Sequence, residues 1–318
     1  MRTRRVVECA GWLAAAVLTL GLLLAGCAPG PQDASAEALN VTVSIVPQAY
    51  FVERIGGDHV TVNVMVEPGS SPATYEPRPE QLKALADAVA YFSIGVPFEN
   101  VWLDRIAAAN QDMRIVDTAA GIDRLPMRAH HHHDDADEHH DEADEHHDEV
   151  DHDHAVGPPD PHIWLSPRLV KVQAQNIYAA LAQIDSENEA QYQANLDAFL
   201  DDITALEADI EATLTGLQSH KFMVFHPAWG YFAADFGLEQ IPIEIGGQEP
   251  SARELAALIE HARQEDIQVV FAQPEFRTSD AETIAQEIDG EVLLISPLAP
   301  DWLDNLRRVA QTFADVLE

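Results

Sequence analysis

Apolar and polar positions alternate between two rhythms along most of this chain. Short β-branched runs predict strands at Val41 to Val46, stopped by Pro47, and at Val60 to Val66, stopped by Pro68-Gly69. A helix is expected from Pro79 through Ala88, a buried strand over Val89 to Ile94, a helix over Glu99 to Ala109 and a short strand at Arg114 to Val116. After a turn at Gly157-Pro158-Pro159-Asp160-Pro161, helix is expected from Pro167 to Gln183. Tyr192, Leu196, Phe199, Ile203, Leu206, Ile210, Leu214 and Leu217 then recur every three or four residues with acids between them, the pattern of one amphipathic helix of about 30 residues. The rhythm resumes with strands at Lys221 to His226, Ile241 to Ile245, Val269 to Ala272 and Val292 to Ile295. Helices are expected at Ser251 to Arg263, Ser279 to Ile288 and Trp302 to Leu317, the first opened by a Ser251/Glu254 capping box.

Strands alternating with helices imply parallel sheets covered on both faces. The fold class expected is α/β: two parallel-sheet lobes, residues 41–184 and 219–318, joined by one long backbone helix within 185–218, with the ligand site in the cleft between the lobes.

Two segments break the rhythm. Residues 130–154 contain ten histidines (His130, His131, His132, His133, His139, His140, His146, His147, His152 and His154) and twelve acids, with no Lys, Arg or large apolar side chain. Such a tract cannot bury enough apolar surface to offset its ordering entropy, so a disordered loop is expected. Neutral imidazoles each offer a lone pair, and the acids raise the local cation concentration. The loop reads as a metal collector; the plainer alternative is a solvated acidic tract. At the N-terminus, Arg2, Arg4 and Arg5 precede an apolar run from Ala10 to Ala25, and Leu24-Ala25-Gly26-Cys27 resembles a bacterial lipobox. Cleavage there would leave Cys27 as a lipidated anchor in the membrane, with residues 28–40 as a tether. Cys9 falls in the removed part, so no disulfide framework is expected in the mature chain.

Charge narrows the partners. The formal net charge is −36, and removing the loop's twelve acids still leaves about −24, which excludes nucleic acid held through its phosphates and suits cations. Outside the loop there are five histidines. His162, in Asp160-Pro161-His162-Ile163-Trp164-Leu165, is fixed in a turn by prolines and apolar neighbours. His226 follows an apolar strand and precedes Pro227, at the strand end where α/β proteins place ligands. Each reads equally well as a metal ligand or as a satisfied core residue. His59, His220 and His261 sit in polar surroundings and are expected at the surface.

Five segments together resemble the metal-binding solute-binding proteins of bacterial ABC importers, the ZnuA/TroA type. They are Val43 to Tyr50 with Gly56-Gly57-Asp58, Pro68 to Pro77, Asp160 to Leu165, His226 to Phe232, and Gln273-Pro274-Glu275-Phe276, in order from residue 41 to the C-terminus. The resemblance implies two lobes joined by a long helix, a metal held between them by His162 and His226, delivery to an ABC permease, and a monomer. His226 and the His-rich loop favour the zinc branch over manganese, and imidazole suits Zn²⁺ better than Mn²⁺.

Two positions depart from that pattern. Ala73, in Pro72-Ala73-Thr74-Tyr75, stands where the family carries a histidine, and Ser296 stands where it carries an aspartate. Zinc sites normally show three or four protein ligands. Glu275 with water is the expected replacement; a loop histidine near His154, Glu76 and Glu244 are the other candidates. The functions in view are a lipid-anchored zinc receptor, a zinc buffer or metallochaperone whose loop does the binding, and a metallohydrolase. The last has no HExxH, Gly-x-Ser-x-Gly or P-loop motif to support it, and no enzyme is expected.

Overall fold

The computed structural model describes residues 38–127, 158–244, 248–275 and 279–318. The expected signal segment with Cys27, most of the tether, and the His-rich loop lie outside the described residues.

The first sheet contains β1 (Leu39–Val43), β2 (Val60–Val64), β3 (Ala90–Ser93) and β4 (Arg114–Asp117), all parallel in the order β2-β1-β3-β4. The second contains β5 (Lys221–Val224), β6 (Glu239–Pro242), β7 (Val269–Ala272) and β8 (Glu291–Leu294), again parallel, in the equivalent order β6-β5-β7-β8. In both sheets the chain reverses its direction of winding between two central strands, so each lobe has a crevice at the carboxyl ends of those strands. Every residue of β3 and β7 is buried, which is why those two segments read as continuous apolar runs.

The helices are α1 (Val46–Gly56), α2 (Pro79–Ala84), α3 (Pro97–Ala109), α4 (Pro167–Ile184), α5 (Glu189–Thr213), α6 (Gly230–Phe236), α7 (Ala252–Gln264), α8 (Ser279–Glu287) and α9 (Trp302–Leu317). Several depart from the sequence reading: α1 and α6 were not expected, α2 stops at Ala84 and not Ala88, and α5 is shorter than expected. Val46 belongs to α1 and not to a strand, because Pro47 sits in the first helical turn, where a missing N–H costs nothing. Gln48 reinforces that start: its Oε1 accepts from the backbone N–H groups of Ser44 at 3.0 Å and Ile45 at 3.2 Å. The long helix α5 spans 25 residues, about 37 Å, and ends before Leu214 and Leu217. Those two leucines are buried beyond the helix end, so the apolar spacing in the sequence continues past the helix itself.

α5 packs against α1 and α4 of the first lobe and against α9 of the second. One apolar cluster therefore runs through both lobes. At its centre Trp302 meets Phe51 edge-on at 5.1 Å and donates its indole N–H to the Trp164 carbonyl at 2.7 Å, while Trp164 donates to the Pro297 carbonyl at 2.7 Å. A second cluster, including Met223, Ile241, Leu258 and Ile284, fills the outer face of the second sheet beneath α7 and α8. Among the described residues no helix is long and apolar enough to cross a membrane.

Candidate metal centre

His226 lies two residues beyond the end of β5, at the crevice of the second lobe. Its backbone is clamped across that crevice by Gln273, the first residue after β7: Gln273 Oε1 accepts from the His226 N–H at 3.2 Å and Gln273 Nε2 donates to the His226 carbonyl at 2.7 Å. His162 precedes a single 3₁₀ turn, Ile163–Leu165, whose buried side chains anchor it. Asp160 Oδ1 accepts from the His162 N–H at 2.9 Å, and the Tyr231 hydroxyl donates to the Asp160 carbonyl at 3.0 Å. The two imidazoles are 6 % and 7 % exposed, with ring centroids 5.1 Å apart and ring planes at 74°.

Each ring is oriented by a carboxylate. His162 Nδ1 lies 2.7 Å from Asp160 Oδ1, and His226 Nδ1 lies 2.5 Å from Glu244 Oε2. An ionised carboxylate only accepts, so each Nδ1 carries the proton and each Nε2 presents a lone pair. Those two Nε2 atoms face one another at 3.2 Å. Two lone pairs aimed at each other repel, and a cation between them removes the repulsion. Zn–N bonds of about 2.0–2.1 Å at a tetrahedral angle set two ligand nitrogens about 3.3 Å apart, close to the spacing found, whereas a linear pair would need about 4 Å. Burial, followed by the neighbouring His162, holds the His226 imidazole below the ordinary histidine range despite Glu244, so its lone pair is available at neutral pH.

The structure thus brings His162 and His226 together and assigns Asp160 and Glu244 to orienting them. Glu275, the expected third donor, has its Oε1 on the Ser296 hydroxyl at 2.6 Å, while its Oε2 is buried without a hydrogen-bond partner among the described residues. Glu76 is exposed. Among the described residues no group of three or more His, Cys, Asp or Glu side chains is arranged to hold a metal. The loop histidines lie outside the described residues. Of the remaining histidines, His220 is exposed, while His59 and His261 are half-buried, His59 edge-on to Tyr192 at 5.8 Å. Sequence reasoning missed Asp160 as an orienting group, although an acid two residues before a proline-flanked histidine is the available signal.

Residues 41–316 match the family described as zinc-uptake complex component A, periplasmic. The chain belongs to that family. Its members are solute-binding receptors and not enzymes, so the fold and the class of protein expected from the sequence both hold. The high-affinity zinc uptake system protein ZnuA of Bacillus subtilis (strain 168) is 29 % identical over 288 residues, covering 87 % of this chain and 85 % of that protein. Zinc-binding protein AdcA of Streptococcus pyogenes is 28 % identical over 265 residues, covering 82 % of this chain but only 50 % of AdcA, so the chain spans about half the length of that relative. A crystal structure of ZnuA is 45 % identical, with a TM-score of 0.78, covering 89 % of this chain and 100 % of that one. A ZnuA deletion mutant with zinc bound gives the same identity and TM-score, covering 89 % of this chain and 99 % of that one.

Proposed function

We propose that this protein is a lipid-anchored extracytoplasmic receptor that captures Zn²⁺ between its lobes and hands it to an ABC permease. The observation that carries this reading is the pair of opposed Nε2 atoms of His162 and His226 at tetrahedral spacing, each ring backed by a carboxylate. Membership of the zinc-uptake family, and the zinc held by the related ZnuA deletion mutant, support the same metal. Lipidation at Cys27 rests on the Leu24-Ala25-Gly26-Cys27 sequence, and the strong negative charge suits a cation collector. Glu275 is the proposed further protein donor and must leave Ser296 to serve. The histidines of residues 130–154 form an auxiliary, weaker set that gathers zinc ahead of the cleft.

A second reading is a zinc buffer in which the His-rich loop is the main binding element. It draws on the lack, among the described residues, of any third side chain completing the His162/His226 pair. A competitive Zn²⁺ titration against a chromophoric chelator separates the two. One tight site that disappears in both His162→Ala and His226→Ala supports the receptor. Unchanged tight binding in both variants moves the binding to the loop.

A further inference from the structure

A tyrosine of the second lobe is built into the backbone of the first. Pro126 and Pro159 face each other in an antiparallel bridge, and Leu125 and Asp160 flank it. Two residues so placed ordinarily exchange both backbone bonds, N–H to carbonyl in each direction. Asp160 makes its half, donating to the Leu125 carbonyl at 2.8 Å. The return bond runs through Tyr231 of α6 instead: the Leu125 N–H donates to the Tyr231 hydroxyl at 3.0 Å, and that hydroxyl donates to the Asp160 carbonyl at 3.0 Å. Tyr231 is 2 % exposed, and burial pushes its phenol up to about 12, so the hydroxyl keeps the proton it gives to Asp160. Gly230 lets α6 come this close, since a Cβ there would meet Asp160 Oδ2 at 3.2 Å.

The hydroxyl is not what docks α6. Asp235, one turn further along the same helix, accepts from the Ser166 hydroxyl and from Arg168 Nε at 3.2 Å, both in the first lobe. Nor does the backbone pairing need it. Without that oxygen the Leu125 N–H and the Asp160 carbonyl can close on each other in a direct bond of about 2.9 Å. What would be lost is the spacing. Asp160 is the residue that orients His162, with Oδ1 on the His162 N–H at 2.9 Å and 2.7 Å from Nδ1, so whatever sets the Asp160 backbone also aims that carboxylate.

Resting on the receptor reading above, we propose that Tyr231 is a positioning residue for zinc: its hydroxyl holds Leu125 and Asp160 one oxygen apart, and that spacing aims the Asp160 carboxylate at His162. The second lobe thus sets the ligand of the first, and the two imidazoles are aligned before the metal arrives. Such preorganisation raises affinity by removing the cost of ordering the ligand on binding.

The test compares the full mature chain with Tyr231→Phe, which removes the oxygen and keeps the ring. Competitive Zn²⁺ titration should show the tight site weakened about tenfold, the lower end of what loss of an orienting partner costs. The thermal midpoint should stay near that of the wild type, because the strands close directly. In the zinc-loaded protein, the proton–nitrogen signal of the His162 Nδ1–H should move in Tyr231→Phe, while that of His226, oriented from within its own lobe by Glu244, should not. Asp235→Ala, which cuts the other tie between α6 and the first lobe, should keep zinc affinity within about twofold of the wild type, the hydroxyl and Asp160 being untouched. Wild-type affinity or an unmoved His162 signal in Tyr231→Phe overturns the proposal and leaves the receptor reading standing. So does an equal loss in Asp235→Ala, or a loss of fold in Tyr231→Phe, either of which makes the hydroxyl a structural contact. A wild-type His162 signal that does not respond to zinc overturns the receptor reading and this proposal with it.

Discussion

His226 and Glu244 sit 18 residues apart in sequence and 2.5 Å apart at Nδ1 and Oε2, because the parallel register that sets Val224 beside Pro242 carries residue 226 to residue 244 two positions on. The carboxylate fixes the tautomer that keeps the proton on Nδ1 and the lone pair on Nε2. Glu244→Ala should lower zinc affinity about 10- to 100-fold while the fold persists, as loss of such an orienting partner does in other metal sites. Competitive titration and circular dichroism on the same variant check this. A complete loss of the site would make Glu244 a ligand; no change would remove it from the centre.

Acid should weaken the metal-free fold. Burial holds the folded His226 below its ordinary pKa, while in the unfolded chain it takes a proton near about 6.5. Below that value the unfolded state binds more protons, so stability is full above it and falls as pH drops toward the depressed folded value. The thermal midpoint of the apoprotein should decline between about pH 6.5 and pH 5, and His226→Gln should flatten part of that decline. An identical decline in the variant would assign the acid sensitivity to other groups.

The first lobe fills its own crevice with a buried polar network. Glu99, in the first turn of α3, accepts from the Ser44 hydroxyl, from the Ile94 N–H at 3.0 Å and from the Gly95 N–H at 2.7 Å. Burial raises its carboxyl above the usual range, so the charge itself adds little to stability. Glu99→Ala takes the acceptor from the Ile94 and Gly95 N–H groups, at about 1–3 kcal/mol each, while the Ser44 hydroxyl keeps Tyr91, and should destabilise by about 2 kcal/mol or more. Glu99→Gln, which keeps an acceptor, should cost clearly less. Urea denaturation of both variants measures the difference; equal losses would show that the ionised form matters.

Gly95 belongs to the same corner. Its φ of +81° lies in the left-handed region, and an added Cβ would collide with the Arg124 guanidinium. Arg124 holds the turn by donating to the carbonyls of Ile94 at 2.5 Å and Gly95 at 3.2 Å. Gly95→Ala should therefore destabilise by more than the roughly 1 kcal/mol of backbone strain alone, through displacement of the guanidinium. A thermal melt of Gly95→Ala beside Arg124→Ala checks it, since the double variant should lose less than the sum of the two.

Removing residues 130–154 should lower zinc stoichiometry by several ions and spare the cleft. The expectation follows from ten imidazoles in a tract with no apolar anchor, set against a pair held by buried side chains. Zinc counted per chain by atomic emission, with and without the segment, measures it. Loss of all binding would mean that the loop completes the cleft site.

Much of the fold was legible in the chain. β3 and β7 announced themselves because central parallel strands are buried on both faces, and α5 because its apolar residues recur along one face. α1 and α6 were not read. The first hides behind a proline that looks like a strand stop, and the second, Gly230–Phe236, has only seven residues, too few for a period to emerge. His162 and His226 stood out by their proline-flanked positions, but as equally plausible core residues.

By itself, then, the sequence determined the α/β alternation, the parallel sheets, the long helix and two histidines worth testing, because each is written in spacing over neighbouring residues. The tertiary structure alone decided that those histidines, 64 residues apart, turn their Nε2 atoms on one another at 3.2 Å with Asp160 and Glu244 behind them. That arrangement depends on strand register and on the packing of two lobes around Trp164 and Trp302, which are long-range relations that no local pattern encodes.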